Sequence, residues 1–261
     1  VVLPETRMRG PQHFEGKLPA PADACQDVAV VAFPAPAGED SRAVETKRTA
    51  RSVIFEMETP FTARSLTVQP VEKVNVTAVL QASDDGKEYR PVKEFTIDRH
   101  NLNVNVGPVP LAPVVVAFPA ETARFFRLEF SGRCKVGDVL LSPVALVESY
   151  AEKSLIKMFQ DPLPPFDFYT WKRQAEPDTS EIMVDAGSVI DISGLMTPDG
   201  TLQWDVPDGE WIVLRAVLAP TGVKNSPAPP EATGLEVDKM NRTALKAHFD
   251  AYMGNLLQRV P

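Results

Sequence analysis

The sequence has 261 residues, of which 44% are hydrophobic, and this is enough for one large or two ordinary domains with real cores. Acidic residues outnumber basic ones by 35 to 27 and no basic block stands out, so nucleic acid and anionic membranes are poor partners. Cys25 and Cys134 are the only cysteines, which excludes a disulfide framework or a cysteine-ligated zinc site.

The spacing of apolar residues predicts an all-β fold with many short strands. Prolines number 25 against 14 glycines, and no long helical periodicity occurs before residue 240. The continuous apolar run at 26–33 predicts a buried strand. Seven further strands are predicted at regular intervals, at 52–58, 62–70, 74–82, 92–97, 113–118, 124–130 and 138–147. Seven short strands with turns between them are typical of a β-sandwich or jelly roll.

Two local patterns within these strands indicate a turn and a core face. Asp84-Asp85-Gly86-Lys87 is a strong turn signal between two strands. In the last but one strand, alternation places Phe126, Leu128 and Phe130 on one face, which we expect to be buried. The same alternation places Phe125, Arg127 and Glu129 on the other face.

The loop DRHNLNVNVG, which follows the strand at 92–97, holds candidate sugar-binding residues. They are Arg99, His100, Asn101 and Asn103. Sugar-binding sandwiches present polar side chains from loops at one end, although an ordinary polar loop explains the same residues.

Residues 149–195 combine a predicted helix, an aromatic cluster and two strands. Residues 149–159 are expected to form a short helix that ends before Pro162. Trp171 closes a cluster with Phe166, Phe168 and Tyr169, which would either stack on sugar rings or pin a loop to a neighbouring domain. Residues 182–195 predict two more strands.

Pro207-Asp208-Gly209 lies between two strand patterns and predicts a β-hairpin, with 201–206 paired to 210–218. Trp204 and Trp211 flank this turn, and we expect both rings to be largely buried. Three prolines between 221 and 233 then predict a loop, because proline cannot continue a β-ladder.

The alternation Leu235-Glu236-Val237-Asp238 predicts a short strand with both carboxylates on one face. Positions two apart on a strand are separated by roughly 6.6 Å, near the ~6.5–9.5 Å between the carboxylates of inverting glycosidases. A solvated face, or an N-cap by Asp238 for the following helix, is the explanation we favour, because surface carboxylates are common.

The predicted helix after Lys239 has an apolar stripe of Leu245, Phe249, Tyr252 and Leu256. Without a surface to cover, this stripe would be an exposed apolar patch. His248 beside it and His13 are expected to be packed or surface histidines rather than metal ligands. The uncapped helix at Pro261 suggests a piece cut from a longer polypeptide.

The strand at 26–33 has no obvious partner in the block 52–147, whereas 180–218 supplies strands that need a second layer. We therefore predict a discontinuous outer β-sandwich of residues 1–41 and 149–222. Residues 42–148 would be a second β-sandwich inserted into it, and 223–261 would form a loop and helix.

The inserted block resembles galactose-binding-like jelly-roll sandwiches of the discoidin and coagulation factor 5/8 type C group. The resemblance lies in SLTVQP, the hairpin LQASDDGKEYRPVKEF and the strand TARFFRLEF, in that order. It implies a fold and says little about the ligand.

Nearly the whole chain resembles glycoside hydrolase family 106, the α-L-rhamnosidases. The most specific motifs are W-x-VP-x-G-x-W at 204–211 and PTGVKN-x-PAPPEATGLEVDK at 220–239. The resemblance implies an inverting, calcium-assisted enzyme with a (β/α)-barrel and β-sandwich domains, periplasmic or secreted, although this fragment has no signal peptide. The catalytic acid and base would lie in barrel sequence beyond Pro261, so no catalytic residue, cofactor or metal is assigned to this fragment.

The resemblance also implies that residues near the start of the barrel meet substrate. Asn225, Glu236, Asp238 and Lys239 are therefore candidate substrate-binding residues, because active-site loops gather at barrel strand ends. In this fragment we expect Glu236 and Asp238 to be exposed and metal-free.

Three functions follow. The first is a non-catalytic accessory region of a family-106-like rhamnosidase, with the barrel of the same polypeptide and rhamnose-containing polysaccharide as partners. The second is an independent carbohydrate-binding module. The third is an active glycosidase that uses Glu236 and Asp238.

Overall fold

The computed structural model describes residues 2–20, 25–36, 43, 45–102, 107, 109–157, 171, 173–174, 176–178, 182–220, 222–225 and 227–260. These residues form ten β-strands in two sheets, and a helical segment near residue 250, so the predicted all-β fold with a C-terminal helix is confirmed. No helix in this part of the chain is both long and apolar enough to cross a membrane.

The strands, in chain order, are β1 Glu5–Lys17, β2 Gln26–Pro34, β3 Lys47–Arg48, β4 Ser52–Pro70, β5 Val74–Ser83, β6 Arg90–Arg99, β7 Val114–Phe130, β8 Val136–Ser142, β9 Ile190–Asp191 and β10 Thr201–Leu218. The α-helices are α1 Tyr150–Lys153, α2 Arg242–Phe249 and α3 Asn255–Arg259, and a π-helical turn at Asp250–Gly254 joins the last two. Short 3₁₀ turns occur at Ala186–Ser188, Ser193–Leu195 and Pro230–Ala232.

Four strands form one antiparallel sheet in the order β1-β10-β2-β9. Strand β2 pairs with β10 along its whole length, from Gln26 opposite Leu218 to Pro34 opposite Trp211. In the described residues β2 has no ladder to the other sheet, so the predicted pairing of 26–33 with 180–218 is confirmed.

The predicted hairpin at Pro207-Asp208-Gly209 is wrong, because β10 runs through it as one strand and both halves pair with β1. Gly10 faces Gly209 and Gln12 faces Val206, so one residue of β1 opposes two of β10 in a β-bulge. A Cβ on Gly10 would come within 1.8 Å of the Pro207 carbonyl oxygen, so only glycine fits there. Pro207, Asp208 and Gly209 therefore form a bulge within β10 and not a turn, because both halves of β10 pair with β1 and not with each other.

The core of the four-stranded sheet includes Val30, Leu202 and Trp204. The Trp204 ring is buried, and it meets Trp211 edge to face with the ring centroids 5.6 Å apart. Trp211 is only half-buried, and its Nε1 donates a hydrogen bond to the Asp208 carbonyl at 3.3 Å. The predicted burial is therefore confirmed for Trp204 and too strong for Trp211.

An ion pair between the buried Arg215 and the exposed Asp27 ties this sheet together. Its guanidinium donates to both carboxylate oxygens of Asp27, at 2.6 and 3.0 Å, and to the Leu18 carbonyl at 2.9 Å. Hydrogen bonding to Arg215 lowers the pKa of Asp27. Strands β10 and β2 and the end of β1 are joined by one side chain.

The second sheet has the order β3-β4-β7-β5-β6, with β8 also paired to β4. Strands β4 and β7 each combine two of the predicted strands, because their registers shift near Pro60 without ending the pairing. Residues Phe126, Leu128 and Phe130 are buried in its core with Phe55, as the alternation predicts. The turn at Asp84–Lys87 is also as predicted: the Asp85 carboxylate accepts the Lys87 and Glu88 backbone N–H groups.

The chain divides into two compact units, Val1–Pro220 and Thr221–Pro261. The finer division of the first unit into an outer and an inserted sandwich stays a prediction. The two strands predicted in 182–195 reduce to β9 with 3₁₀ turns on each side. Of the helix predicted at 149–159, residues 158 and 159 lie outside the described residues, and α1 forms in the rest.

Candidate functional site

Arg99, a candidate sugar ligand, ends β6 with its side chain buried. Its guanidinium donates to the carbonyl oxygens of Ala112 and Pro113, at 2.8 and 3.2 Å, and lies 2.9 Å from a Glu152 carboxylate oxygen. These bonds fasten the segment before β7 and helix α1 to β6. The Arg99 guanidinium is thus already bonded to other groups of the protein. A role for Arg99 in ligand binding stays a prediction.

Lys157 lies buried beside this arginine, and no sequence pattern indicates this position. Its ammonium donates to the Asn101 carbonyl at 2.9 Å. Burial lowers the pKa of Lys157, and the Arg99 charge lowers it further, whereas the charges of Asp98 and Glu152 act in the opposite direction. Because the acceptor is 56 residues away, only the folded chain shows this contact.

His100 stands at the mouth of the same cluster. Its Nδ1 lies 2.5 Å from an Asp98 carboxylate oxygen, which also accepts the His100 backbone N–H at 3.2 Å. About 39% of the histidine side chain is exposed, so the ring remains open to a ligand. The structure thus brings Arg99, His100 and Asn101 together, and Asn103 lies outside the described residues.

Of the four residues in the predicted aromatic cluster, the described residues include only Trp171. Trp171 is 42% exposed, whereas Phe166, Phe168 and Tyr169 lie outside the described residues. Stacking of this cluster on a sugar stays a prediction.

The remaining candidates belong to the second unit, where Asn225 closes a proline-rich loop. Its side chain donates to the Ala232 carbonyl at 3.0 Å and accepts the Gly234 backbone N–H at 2.7 Å. Its own backbone N–H donates to the Gly234 carbonyl at 2.9 Å. Asn225 therefore holds the two ends of the loop together.

Glu236, Asp238 and Lys239 are all exposed. The predicted strand at 235–238 is wrong, because only an isolated bridge from Leu235 to Lys224 forms. The predicted cap is also wrong, since Asn241 caps α2 by accepting the backbone N–H groups of Thr243 and Ala244. The Asp238 carboxylate accepts the Met240 N–H instead, one turn earlier.

A cleft of about 530 Å³ opens at one end of the six-stranded sheet, and sequence reasoning missed it. We call it the basic cleft. Three turns line it, with the side chains of Arg48, Thr49, Glu72, Arg133, Cys134 and Lys135. Burial raises the pKa of the Cys134 thiol, and the Glu72 charge raises it further, so this thiol is protonated at neutral pH.

Among the described residues, no group of three or more His, Cys, Asp or Glu side chains could hold a metal ion. The calcium that the resemblance implies for the full-length enzyme stays a prediction.

These features define an all-β chain with two antiparallel sheets, polar loops at one sandwich end and an exposed helical segment. The glycoside hydrolase 106 family model, described as alpha-L-rhamnosidase, matches residues 1–261. The chain therefore belongs to this family, and the resemblance stated from its motifs is confirmed.

Two individual proteins are similar to the chain. A rhamnosidase from Novosphingobium sp. PP1Y superposes with a TM-score of 0.64 and 27% identity, covering 96% of this chain and 26% of the rhamnosidase. The "Putative beta-glucuronidase" of Formosa agariphila is 38% identical over 88 residues, which are 32% of this chain and 8% of that protein. The chain thus spans about a quarter of the rhamnosidase and less of the other relative.

A weaker likeness concerns carbohydrate-binding modules. A CBM32 module from Clostridium perfringens, solved in complex with GalNAc-β-1,3-galactose, matches with a TM-score of 0.28 and 16% identity. It covers 35% of this chain and 64% of that module, and at this score it carries no argument.

Proposed function

We propose that this chain is a non-catalytic accessory region of a family-106 α-L-rhamnosidase that acts on rhamnose-containing polysaccharide. The main support is the structural superposition on a rhamnosidase, which covers 96% of this chain but only 26% of the rhamnosidase. A segment that matches one quarter of a longer enzyme leaves most of that enzyme to other sequence, and we assign the catalytic barrel to that sequence.

The exposed state of Glu236 and Asp238 supports this assignment. Paired catalytic carboxylates work in a cleft that excludes water and sets their protonation states. Here both residues are exposed, and Asp238 accepts a backbone hydrogen bond in a turn. A solvated turn suits a structural role better than acid and base chemistry.

The helical segment 242–259 supports a barrel of the same polypeptide as partner. Leu245, Phe249, Tyr252 and Leu256 are between 37% and 62% exposed, in the stripe that the sequence predicts. An apolar stripe of this kind is normally buried against another surface. We assign it to the catalytic barrel, whose sequence would be continuous with this segment.

Carbohydrate is the proposed ligand of the inserted sandwich, which we assign to the galactose-binding-like jelly rolls. The His100 ring and the neighbouring Asn101 are placed at the end of β6, where a sandwich presents its loops. No cofactor is assigned to this segment, and calcium would be bound by the full-length enzyme elsewhere.

Hydrolysis of 4-nitrophenyl α-L-rhamnoside by the purified chain tests the accessory role. We expect no turnover above the background for the chain or for its Glu236→Gln variant, with a full-length family-106 rhamnosidase as positive control. Turnover by the chain that Glu236→Gln abolishes would overturn the proposal and establish the active glycosidase.

A further inference from the structure

The basic cleft has a charge opposite to that of the whole protein. Its three turns and their flanks are residues 45–51, 71–73 and 131–135, which contain six basic and two acidic residues, a net charge of +4. The chain as a whole has a net charge of −8. A local positive field on an otherwise acidic protein attracts anions to that spot.

Not all of these cations are available to a ligand. Arg48 is committed, because it forms a forked ion pair with Glu45 and donates to the carbonyls of Val136 and Gly137. Arg133 and Lys135 are exposed, and within the described part of the chain they form no ion pair or hydrogen bond. They flank Cys134, and the Arg133 guanidinium and the Lys135 ammonium can both bind a ligand.

The cleft is held in shape by backbone bonds between its turns. The Cys134 backbone N–H donates to the Ala50 carbonyl at 2.9 Å, and the Phe130 N–H donates to the Arg51 carbonyl at 2.9 Å. The Ser131 N–H donates to the Thr77 carbonyl at 2.8 Å. A site fixed in this way loses little entropy when it binds a ligand.

The lining chemistry favours an anion over a neutral sugar ring. None of the described lining residues is aromatic, so the cleft offers no platform for stacking. A guanidinium beside an ammonium binds carboxylate or sulfate oxygens through charge-assisted hydrogen bonds. The volume of the basic cleft, about 530 Å³, falls in the range of ~300–1,000 Å³ that small-molecule sites occupy.

We infer that the basic cleft binds an acidic unit of a glycan, with its carboxylate or sulfate group between Arg133 and Lys135. The protonated Cys134 adds no negative charge to the cleft wall. Among the described lining residues Glu72 is the one carboxylate, and it weakens binding by repulsion. The inference rests on the proposed function only in taking the ligand to be a carbohydrate.

Isothermal titration of the chain with two pairs of glycans tests this. The first pair is hexagalacturonate and its neutral counterpart galactohexaose, and the second is dextran sulfate and dextran. We expect binding of an acidic member only, weakened by added salt because charges are screened. The pair that binds distinguishes a carboxylate ligand from a sulfate ligand, and absence of binding to both acidic glycans overturns the inference.

Paired variants locate the binding. Arg133→Gln combined with Lys135→Gln should weaken binding at least about tenfold, since each removes a charge-assisted bond. Lys87→Gln combined with Arg124→Gln removes the same charges near Ser83, at the far end of β5 from the cleft, and should leave affinity within about twofold. Glu72→Gln should strengthen binding several-fold. All five side chains are exposed, so the melting temperatures should match that of the parent.

Two results would overturn the inference even if acidic glycans bind. One is equal affinity in the Arg133→Gln, Lys135→Gln variant and the parent. The other is equal binding of polyglutamate, which has the charge and no sugar. Neither result affects the accessory role, which the rhamnoside hydrolysis assay tests separately.

Discussion

The two units of the chain use their apolar side chains in opposite ways. In the first unit, large side chains such as Phe55 and Phe126 have no exposed surface and fill a core between β-ladders. In the second unit, none of the described residues is buried, and Phe249 and Leu257 are 49% and 63% exposed. The bonds of the second unit are local, within one loop and one helical segment.

This difference indicates where the folding free energy arises. Burial of apolar surface contributes about 25 cal/mol per Å². The sheets of the first unit are therefore stabilised by the apolar side chains that they bury. An α-helix of fewer than about 12–15 residues is marginal in water without such cover, and α2 and α3, which a π-helical turn separates, have 8 and 5 residues. The first unit is therefore expected to be stable by itself. The helical segment is expected to need another surface that buries its apolar side chains before its helix is stable.

Truncation of a phenylalanine in each unit gives the largest expected contrast. Phe126→Ala should lower the free energy of unfolding by about 3–5 kcal/mol, because it leaves a cavity in a closed core. Phe249→Ala should change it by less than about 0.5 kcal/mol, because the ring is half exposed. Urea unfolding measures both, and a large loss in Phe249→Ala would show that the helical segment already shares a core.

The ion pair of the buried Arg215 in the four-stranded sheet gives the next effect. Arg215→Met should lower the free energy of unfolding by about 2 kcal/mol, since it leaves the Asp27 carboxylate and the Leu18 carbonyl without their donor. Arg9→Met is the matched control, because Arg9 pairs with Glu210 on the exposed face of the same sheet. That variant should lose less than about 1 kcal/mol. Equal losses in urea unfolding would mean that burial of Arg215 is unimportant.

The same pair makes stability depend on pH in a defined direction. The folded pKa of Asp27 lies below its ordinary value, so its contribution is complete above the unfolded pKa of about 3.9. The contribution is lost as the pH falls through the folded pKa. In urea unfolding, the difference between the parent and Asp27→Asn should be largest near pH 7 and should shrink below pH ~4. A difference that grows with acidity would contradict the assignment.

The smallest effect concerns the cap of the helical segment. Asn241→Ala removes the acceptor for the Thr243 and Ala244 backbone N–H groups and should destabilise α2 by about 1 kcal/mol. Because nothing buried depends on α2, the loss should appear as faster amide exchange in 242–259 with an unchanged melting temperature for the first unit. Asn255→Ala, which removes only a side-chain bond to the Ala251 carbonyl, is the control.

Sequence patterns predicted the strands whose signal is local. The apolar run at 26–33, the alternation at Phe126–Phe130 and the Asp85 turn are each set by neighbouring residues. The family was also predictable, because its motifs at 204–239 are long and contiguous.

The errors arose where a distant residue decides the local structure. Pro207-Asp208-Gly209 would make a hairpin turn if 201–206 paired with 210–218, but β1 is the partner of both. Strand β1 itself was not located, since its polar residues mask its alternation. The partners of Arg215 and Lys157 are 188 and 56 residues away, and the three turns of the basic cleft meet only after the sandwich closes.

The pairing of β1 with β10 also determines how the first unit responds to mechanical force. Val2 bridges Val217 and Lys17 faces Thr201, so the start of β1 and the end of β10 lie at the same end of the sheet. Tension between residues 2 and 218 would therefore load these hydrogen bonds one after another, as in a zipper, and not all together in shear. The four-stranded sheet should open at low force, while the sandwich of β3 to β8 lies outside the opening ladder and stays intact.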